Sequence, residues 1–234
     1  MNNVPREYPR TVSCNGATTE LRLMSSGDAA DLKTFIASLP EHDLLFLSRD
    51  ITHPKVIEAW IAAIAEGRVK SLVARENGVI VGCTAIVLHE LSWSRHVGEL
   101  RVLVSPSWRG KGLGRILIQE CFAQALELGL AKLCVQMTVD QRAAIAGFEG
   151  IGFRAEALFR NHVRDRDGKL HDLAVLSHDV GAIESMMHAY GISERRQRLT
   201  NIVVVGERHL RQRGWMLEAV ERCGFRSAPF CLGQ

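Results

Sequence analysis

Arg109-Gly110-Lys111-Gly112-Leu113-Gly114 places two cations and three glycines between a strand-like apolar run and a helix-like one. Glycines let a ligand approach the backbone closely. The unpaired N–H groups of a first helical turn point outward, and the helix dipole there favours negative charge. With Arg109 and Lys111 alongside, the expected guest is a phosphate or pyrophosphate. A basic surface turn that merely opens a helix is the plainer alternative. Neither common nucleotide motif fits: a dinucleotide fingerprint starting at Gly110 needs glycine where Arg115 stands, and a P-loop needs Gly-Lys followed by Ser or Thr.

The elements that must position this turn can be read from periodicity. Residues 1–18 lack a repeat and read as an N-terminal arm. Leu21 and Leu23 alternate as a short strand, and Ser25 or Ser26 can cap a helix through Ala30, Leu32, Phe35 and Ile36 that Pro40 ends. A long connector, PEHDLLFLSRDITHP, precedes a second helix marked by Val56, Ala59, Trp60, Ala63 and Ile64. Long loops of this kind are often binding elements. Lys70–Arg75 and Val79–His89 form a hairpin about Asn77-Gly78, a pair that tolerates positive φ. Val97–Val104 is a third strand and leads into the glycine turn. The helix after it carries the stripe Leu113, Ile116, Leu117, Cys121, Ala125 and Leu128. A strand at Leu133–Met137, a short helix capped by Asp140, and a hairpin of Phe153–His162 with Leu170–Ser177 complete the order β-α-α-β-β-β-α-β-α-β-β. The fold class is α+β, a largely antiparallel sheet flanked by helices.

Composition fits an ordinary globular chain: 234 residues, 47% apolar and 24% charged. Residues 1–180 hold 21 basic and 21 acidic side chains, so the net +3 comes entirely from residues 181–234, with 8 Arg against 5 Glu. In that extension Ile202–Val205 is strand-like, and Leu210, Leu217 and Val220 suggest one apolar helix side, as in a docked extension or dimer element. Its cluster of Arg195, Arg196, Arg198, Arg208, Arg211 and Arg213 lacks aromatic interleaving, so a nucleic-acid partner is not expected. Cys14, Cys83, Cys121, Cys134, Cys223 and Cys231 show no paired metal spacing and read as reduced thiols. No metal is expected. No apolar run is long enough for a membrane span, and the polar start lacks a signal peptide's apolar stretch, which implies no membrane partner and a cytoplasmic setting.

Two segments together carry a family likeness. ELRVLVSPSWRGKGLGRILIQECF resembles the acyl-CoA-binding motif of the GNAT superfamily of N-acetyltransferases, with Val104, Pro106, Arg109, Gly112 and Gly114 at its defining positions. QRAAIAGFEGIGFRAEA resembles that family's second motif through Ala144, Gly152 and Phe153. The likeness spans about residues 19–180, which defines the expected catalytic domain, with 181–234 as a C-terminal extension.

The resemblance implies direct attack of a primary amine on the acetyl-CoA thioester, beside a strand splayed from its neighbour. Cofactor contacts fall on the strand Val102, Leu103 and Val104, where the backbones of Val102 and Val104 hold the pantetheine. Others fall on the turn from Arg109 through Gly110, Lys111, Gly112 and Leu113 to Gly114, and on Gln141 and Phe148. Glu99 is the general-base candidate, with a structural pair to Arg101 as the alternative reading. His89 and Glu90 are second choices for the base. Glu41, His42 and Asp43 are read as acceptor contacts. His162, Arg164, His171 and Asp172 either border the acceptor groove or are solvated hairpin charge, and Trp93 and Trp108 line a groove or pack at the surface.

The pattern departs at Phe148, where many relatives carry a tyrosine that protonates the leaving thiolate, and at Gln141, which replaces an asparagine. Solvent protonation of the thiolate is therefore expected. The Phe148 substitution also leaves a non-catalytic acyl-CoA sensor as the alternative function. The resemblance admits a homodimer.

Overall fold

The computed structural model describes residues 6–47 and 49–180. The expectations for 181–234, including its arginine cluster, Cys223 and Cys231, lie outside the described residues.

The chain starts with a strand pair. β1 (Arg10–Cys14) and β2 (Ala17–Leu23) join through Asn15-Gly16, both with positive φ, in the same Asn-Gly geometry that joins β3 (Val69–Glu76) to β4 (Val79–Val87) through Asn77-Gly78. The expectation of an arm over residues 1–18 is thus corrected for residues 10–18. The run is polar because β1 is the sheet edge, with only Val12 and Cys14 of its side chains buried.

Two helices follow β2. α1 (Ala29–Ala37) begins after a short 3-10 turn, and α2 (Pro54–Ala65) follows the connector. β5 (Val97–Val104) leads through Pro106–Trp108 into α3 (Leu113–Glu127), and β6 (Lys132–Thr138) into α4 (Arg142–Glu149). The hairpin of β7 (Arg154–Arg164) and β8 (Leu170–Asp179) closes the described fold. Asp140 does not cap α4, whose N-cap is Gln141 without a side-chain cap bond.

The eight strands form one sheet in the order β1-β2-β3-β4-β5-β6-β8-β7, antiparallel throughout except for β5 beside β6. Helices cover both faces. Leu32, Phe35, Ile36 and Ile57 of α1 and α2 pack with Val73, Cys83 and Leu103. On the other face Leu113 and Leu117 of α3 meet Leu21, Ala74 and Val81, while Ile118, Cys121 and Ala125 pack with Ile86, Leu100, Leu133 and Val135.

A buried ion cluster locks the start of α1 to the sheet. Asp28 is fully buried, receives the Ser25 N–H at 2.8 Å and Arg75 Nη2 at 2.7 Å, and pairs with Arg22 from β2. Burial opposes its ionisation, but the bonds from Arg22, Ser25 and Arg75 outweigh it and hold the carboxyl far below the ordinary range. On α3, Glu120 is likewise buried and takes the Tyr8 hydroxyl at 2.8 Å and Arg10 at 3.1 Å, with Arg6 also paired to it. Burial, then Glu120, raises the Tyr8 hydroxyl well above its usual value, so it remains a donor. Cys83 and Cys121 are free and pushed up to about 12 by burial, as expected of inert interior thiols.

Candidate active site

The pairing of β5 with β6 runs Val97–Lys132, Gly98–Leu133 and Glu99–Cys134, and then stops. β5 nevertheless continues to Val104 on its β4 side, in unbroken register from Val87–Glu99 to Gly82–Val104. β6 continues to Thr138 on its β8 side. Two strands that are each held on their outer edges diverge after Glu99, and the sheet opens into a cleft.

Strand alternation decides what β5 presents to that cleft. The Ser105 N–H donates to the Val81 carbonyl at 2.9 Å, so odd positions turn their backbone groups toward β4. Consistently, the His96 carbonyl accepts the Lys132 N–H at 3.2 Å on the β6 side. Val102 and Val104 therefore direct N–H and C=O into the opening. Leu103 differs from expectation: its backbone faces β4 and its side chain is buried against α1 and α2. It shapes the strand without reaching the cleft.

The glycine turn lies at the end of the same strand. Gly110 and Gly112 have φ of +73° and +88°, and a Cβ at either would meet nothing within 4 Å. Conformation, with open space above it, is what requires glycine here. Gly112 is the N-cap of α3 and supplies no side-chain cap; the first intrahelical bond runs from the Ile116 N–H to the Gly112 carbonyl at 3.2 Å. The N–H groups of Leu113 and Gly114, ahead of that bond, thus have no partner inside the helix. The Leu113 side chain itself is buried beneath them. Such a bare, unfilled helix start fits a pyrophosphate.

The two cations of the turn are already engaged. Lys111 Nζ sits 4.8 Å from the centre of the Trp108 ring, and that indole, buried, donates to Glu76 at 3.2 Å. Trp108 is therefore a support for the turn, while Trp93 is fully exposed. The Arg109 guanidinium pairs with Asp43, from the connector between α1 and α2. Its neighbour His42 reaches the opposite lip: Gln141 Nε2 donates to the His42 carbonyl at 3.1 Å, and His42 Nε2 lies 3.1 Å from Asp140 Oδ2 and 3.5 Å from Thr138 Oγ1. The connector bridges the two sides of the cleft. Residues 41–43 are expected at the acceptor; of these, Asp43 pairs with Arg109 of the glycine turn.

Glu99 stands at the apex where the strands part. By alternation it shares the face of α1 and α2 with Leu103, opposite α3, and it accepts a 2.8 Å bond from Arg101 Nε. Its Cα is three residues, or about 10 Å, from that of Val102. His89 and Glu90 follow the end of β4, beyond the Val87–Glu99 pair and away from the opening, so they do not reach the same place.

Phe148 is 7% exposed and packs edge-on against Phe153 with ring centres 5.1 Å apart. It is a core residue under α4 and donates no proton. Gly152 precedes Phe153 at the turn into β7 with φ of +105°, where a Cβ would come within 2.8 Å of His178. Tyr8 lies against α3 and not in the cleft.

Beyond β6, His171 and Asp172 of β8 are structured and not loose hairpin charge. Asp172 accepts the Asn161 N–H at 2.8 Å, and His171 Nε2 lies 2.8 Å from Asp165. Burial opposes ionisation of Asp140, but the Thr138 hydroxyl and the imidazoles of His42 and His171 hold its carboxyl below the usual range. Arg166 at the hairpin tip reaches Asp50 Oδ2 at 3.2 Å and Thr52 Oγ1 at 3.0 Å, tying the hairpin to the connector. These partners lie about a hundred residues apart, and no local signal announces them.

The split strand pair with a bare helix start at its mouth agrees with the comparisons with known proteins. Residues 37–153 match the model of the acetyltransferase (GNAT) family. The chain belongs to the GNAT acetyltransferase family. It is similar to an IAA acetyltransferase of Azospirillum brasilense, 33% identical over 94 residues that cover 40% of this chain and 60% of the relative. It also resembles the ribosomal protein bS18-alanine N-acetyltransferase of Escherichia coli, 31% identical over 68 residues, 29% of this chain and 46% of that one. A GNAT-family acetyltransferase structure from Streptococcus pneumoniae shares the fold, with a TM-score of 0.58 at 22% identity, over 69% of this chain and 99% of that one. This GNAT protein is an N-acetyltransferase that draws on acetyl-CoA. Among the described residues no helix is long and apolar enough to cross a membrane.

Proposed function

We propose that this GNAT protein transfers acetyl to a primary amine by direct attack within a ternary complex, with residues 19–180 as the catalytic domain. The observation that carries the proposal is the end of β5–β6 pairing at Glu99–Cys134 beside an uncapped α3. Acetyl-CoA supplies the activated acyl thioester. Val102 and Val104 offer unpaired backbone groups to the pantetheine and to the oxygen of the thioester carbonyl, where preorganised donors count most. Gly110 to Gly114, with Arg109 and Lys111, hold the pyrophosphate, and the amide of Gln141 serves the opposite lip. Phe148 supports that lip by packing.

Attack forms the N–C bond and breaks the C–S bond. Glu99, oriented by Arg101, takes the ammonium proton directly or through water. The thiolate is protonated by solvent, since thiols ordinarily titrate near ~8.5. The free thiols Cys14, Cys83, Cys121 and Cys134 support a reducing, cytoplasmic setting. The acceptor is a small molecule, peptide or protein amine.

Release of CoA thiol from acetyl-CoA across amine, amino-acid and peptide acceptors tests the reading. Intersecting two-substrate kinetics and a roughly 10²-fold lower kcat in Glu99→Gln are expected. Parallel lines would indicate an acetyl-enzyme, and binding without turnover on any acceptor would favour an acyl-CoA sensor. Either would overturn the proposal.

A further inference from the structure

His42 on the connector, Asp140 after β6 and His171 on β8 bring one donor atom each into a single cluster, all within 4.8 Å of one another. His42 Nε2 and Asp140 Oδ2 are 3.1 Å apart, and His171 Nδ1 lies 3.9 Å from the same carboxylate oxygen. The other nitrogen of His171, Nε2, lies 2.8 Å from Asp165 Oδ2. A carboxylate can only accept, so Nε2 carries the proton and Nδ1 presents its lone pair to the cluster. A histidine whose second nitrogen is held by a carboxylate is the usual support of a metal-bound imidazole.

We propose that His42, Asp140 and His171 bind a divalent transition-metal ion of the zinc class, with Asp165 as the carboxylate that orients His171. Two imidazoles and one carboxylate match that class, whereas magnesium and calcium call for oxygen donors. Ligand bonds of ~2.0–2.1 Å in a tetrahedron set donor atoms roughly 3.3 Å apart, so the cluster must tighten by up to about 1.5 Å. The side chains of His42 and Asp140 are 41% and 49% exposed and free to swing, while His171, at 7%, is fixed by Asp165. Three protein donors leave a fourth position, which falls on the solvent side with the two exposed ligands. Because the ligands come from three separate elements, the ion ties the connector to the β6 lip of the cleft.

The test uses the full chain, stripped with chelator, and zinc alone. Calorimetric titration and metal analysis after gel filtration should show one zinc per chain, with no heat from magnesium. His42→Ala and His171→Ala should each weaken binding at least 10²-fold, and Asp165→Asn about 10- to 100-fold through loss of the orienting bond. His53→Ala, at the start of α2 and outside the cluster, should bind as the native chain does. Thermal unfolding without metal checks that each variant is folded. If His171→Ala does not fold, the exposed His42 and Asp140 carry the test as His42→Ala and Asp140→Asn. Absence of stoichiometric zinc in the native chain would overturn the proposal. So would zinc retained at full affinity in His42→Ala, which would place the ion elsewhere.

Discussion

Asp43 holds the Arg109 guanidinium, which the proposed function gives to the pyrophosphate, so Asp43→Asn should tighten the cofactor complex. The Arg109 and Asp43 side chains are 47% and 23% exposed, and pairs of that kind are worth ~0.2–1 kcal/mol. A carboxylate that has swung to ~7 Å from a bound phosphate still repels it by ~0.6 kcal/mol at the dielectric constant of water, and more near the protein surface. Removing both effects gains about 1–2 kcal/mol, or roughly a 5- to 30-fold lower Kd for CoA. Calorimetric titration of CoA at low salt reads this directly. The gain should shrink at 0.5 M salt, where charges this exposed are screened. An unchanged or weaker affinity in Asp43→Asn would refute the reasoning, because it would mean that Arg109 does not exchange its partner for phosphate.

Three further outcomes follow from named contacts. Gly112→Ala forces a side chain into φ of +88° where nothing crowds it, so it should cost about 1–2 kcal/mol of stability, read by denaturant unfolding, and weaken CoA binding. Phe148→Tyr should fold normally and leave kcat within a few-fold in the thiol-release assay; a gain of orders of magnitude would show that protonation of the thiolate limits turnover. Asp28→Asn leaves Arg22 and Arg75 without their buried counter-ion and should cost about 3 kcal/mol in denaturant unfolding. Because the folded carboxyl of Asp28 is depressed, its stabilisation is fully present above the unfolded pKa, near ~4, and is lost as pH falls toward the folded value. The native chain should lose stability below about pH 4 more steeply than Asp28→Asn does.

What the sequence made legible was local. β5 runs over Val97–Val104 as its pattern indicates, and the glycine turn opens α3 at Leu113 with its N-cap Gly112 at positive φ. Asn15-Gly16 carries the same hairpin signal as Asn77-Gly78, but the edge strand β1 before it is too polar to show apolar alternation. The face of Glu99 could not be read from sequence, since one bulge would reverse it, and the continuous β4–β5 register decides it. The pairs Arg109–Asp43 and His42–Asp140 join positions 66 and 98 apart in number, and charge patterns along the chain carry no trace of them. Asp140 read as a helix cap for that reason: a short acid before a helix has an obvious local use, and its true partners come from the connector and β8.

In the proposed function β5 and β6 part after Glu99 to receive acetyl-CoA along β5. A crystal structure of the complex tests it most directly. Pantetheine should be hydrogen-bonded to the backbone of Val102 and Val104, with pyrophosphate on the N–H groups of the Gly110–Gly114 turn and the acetyl group toward the Glu99 face. Acetyl-CoA bound elsewhere, or β5 and β6 paired beyond Glu99–Cys134 in the complex, would contradict it.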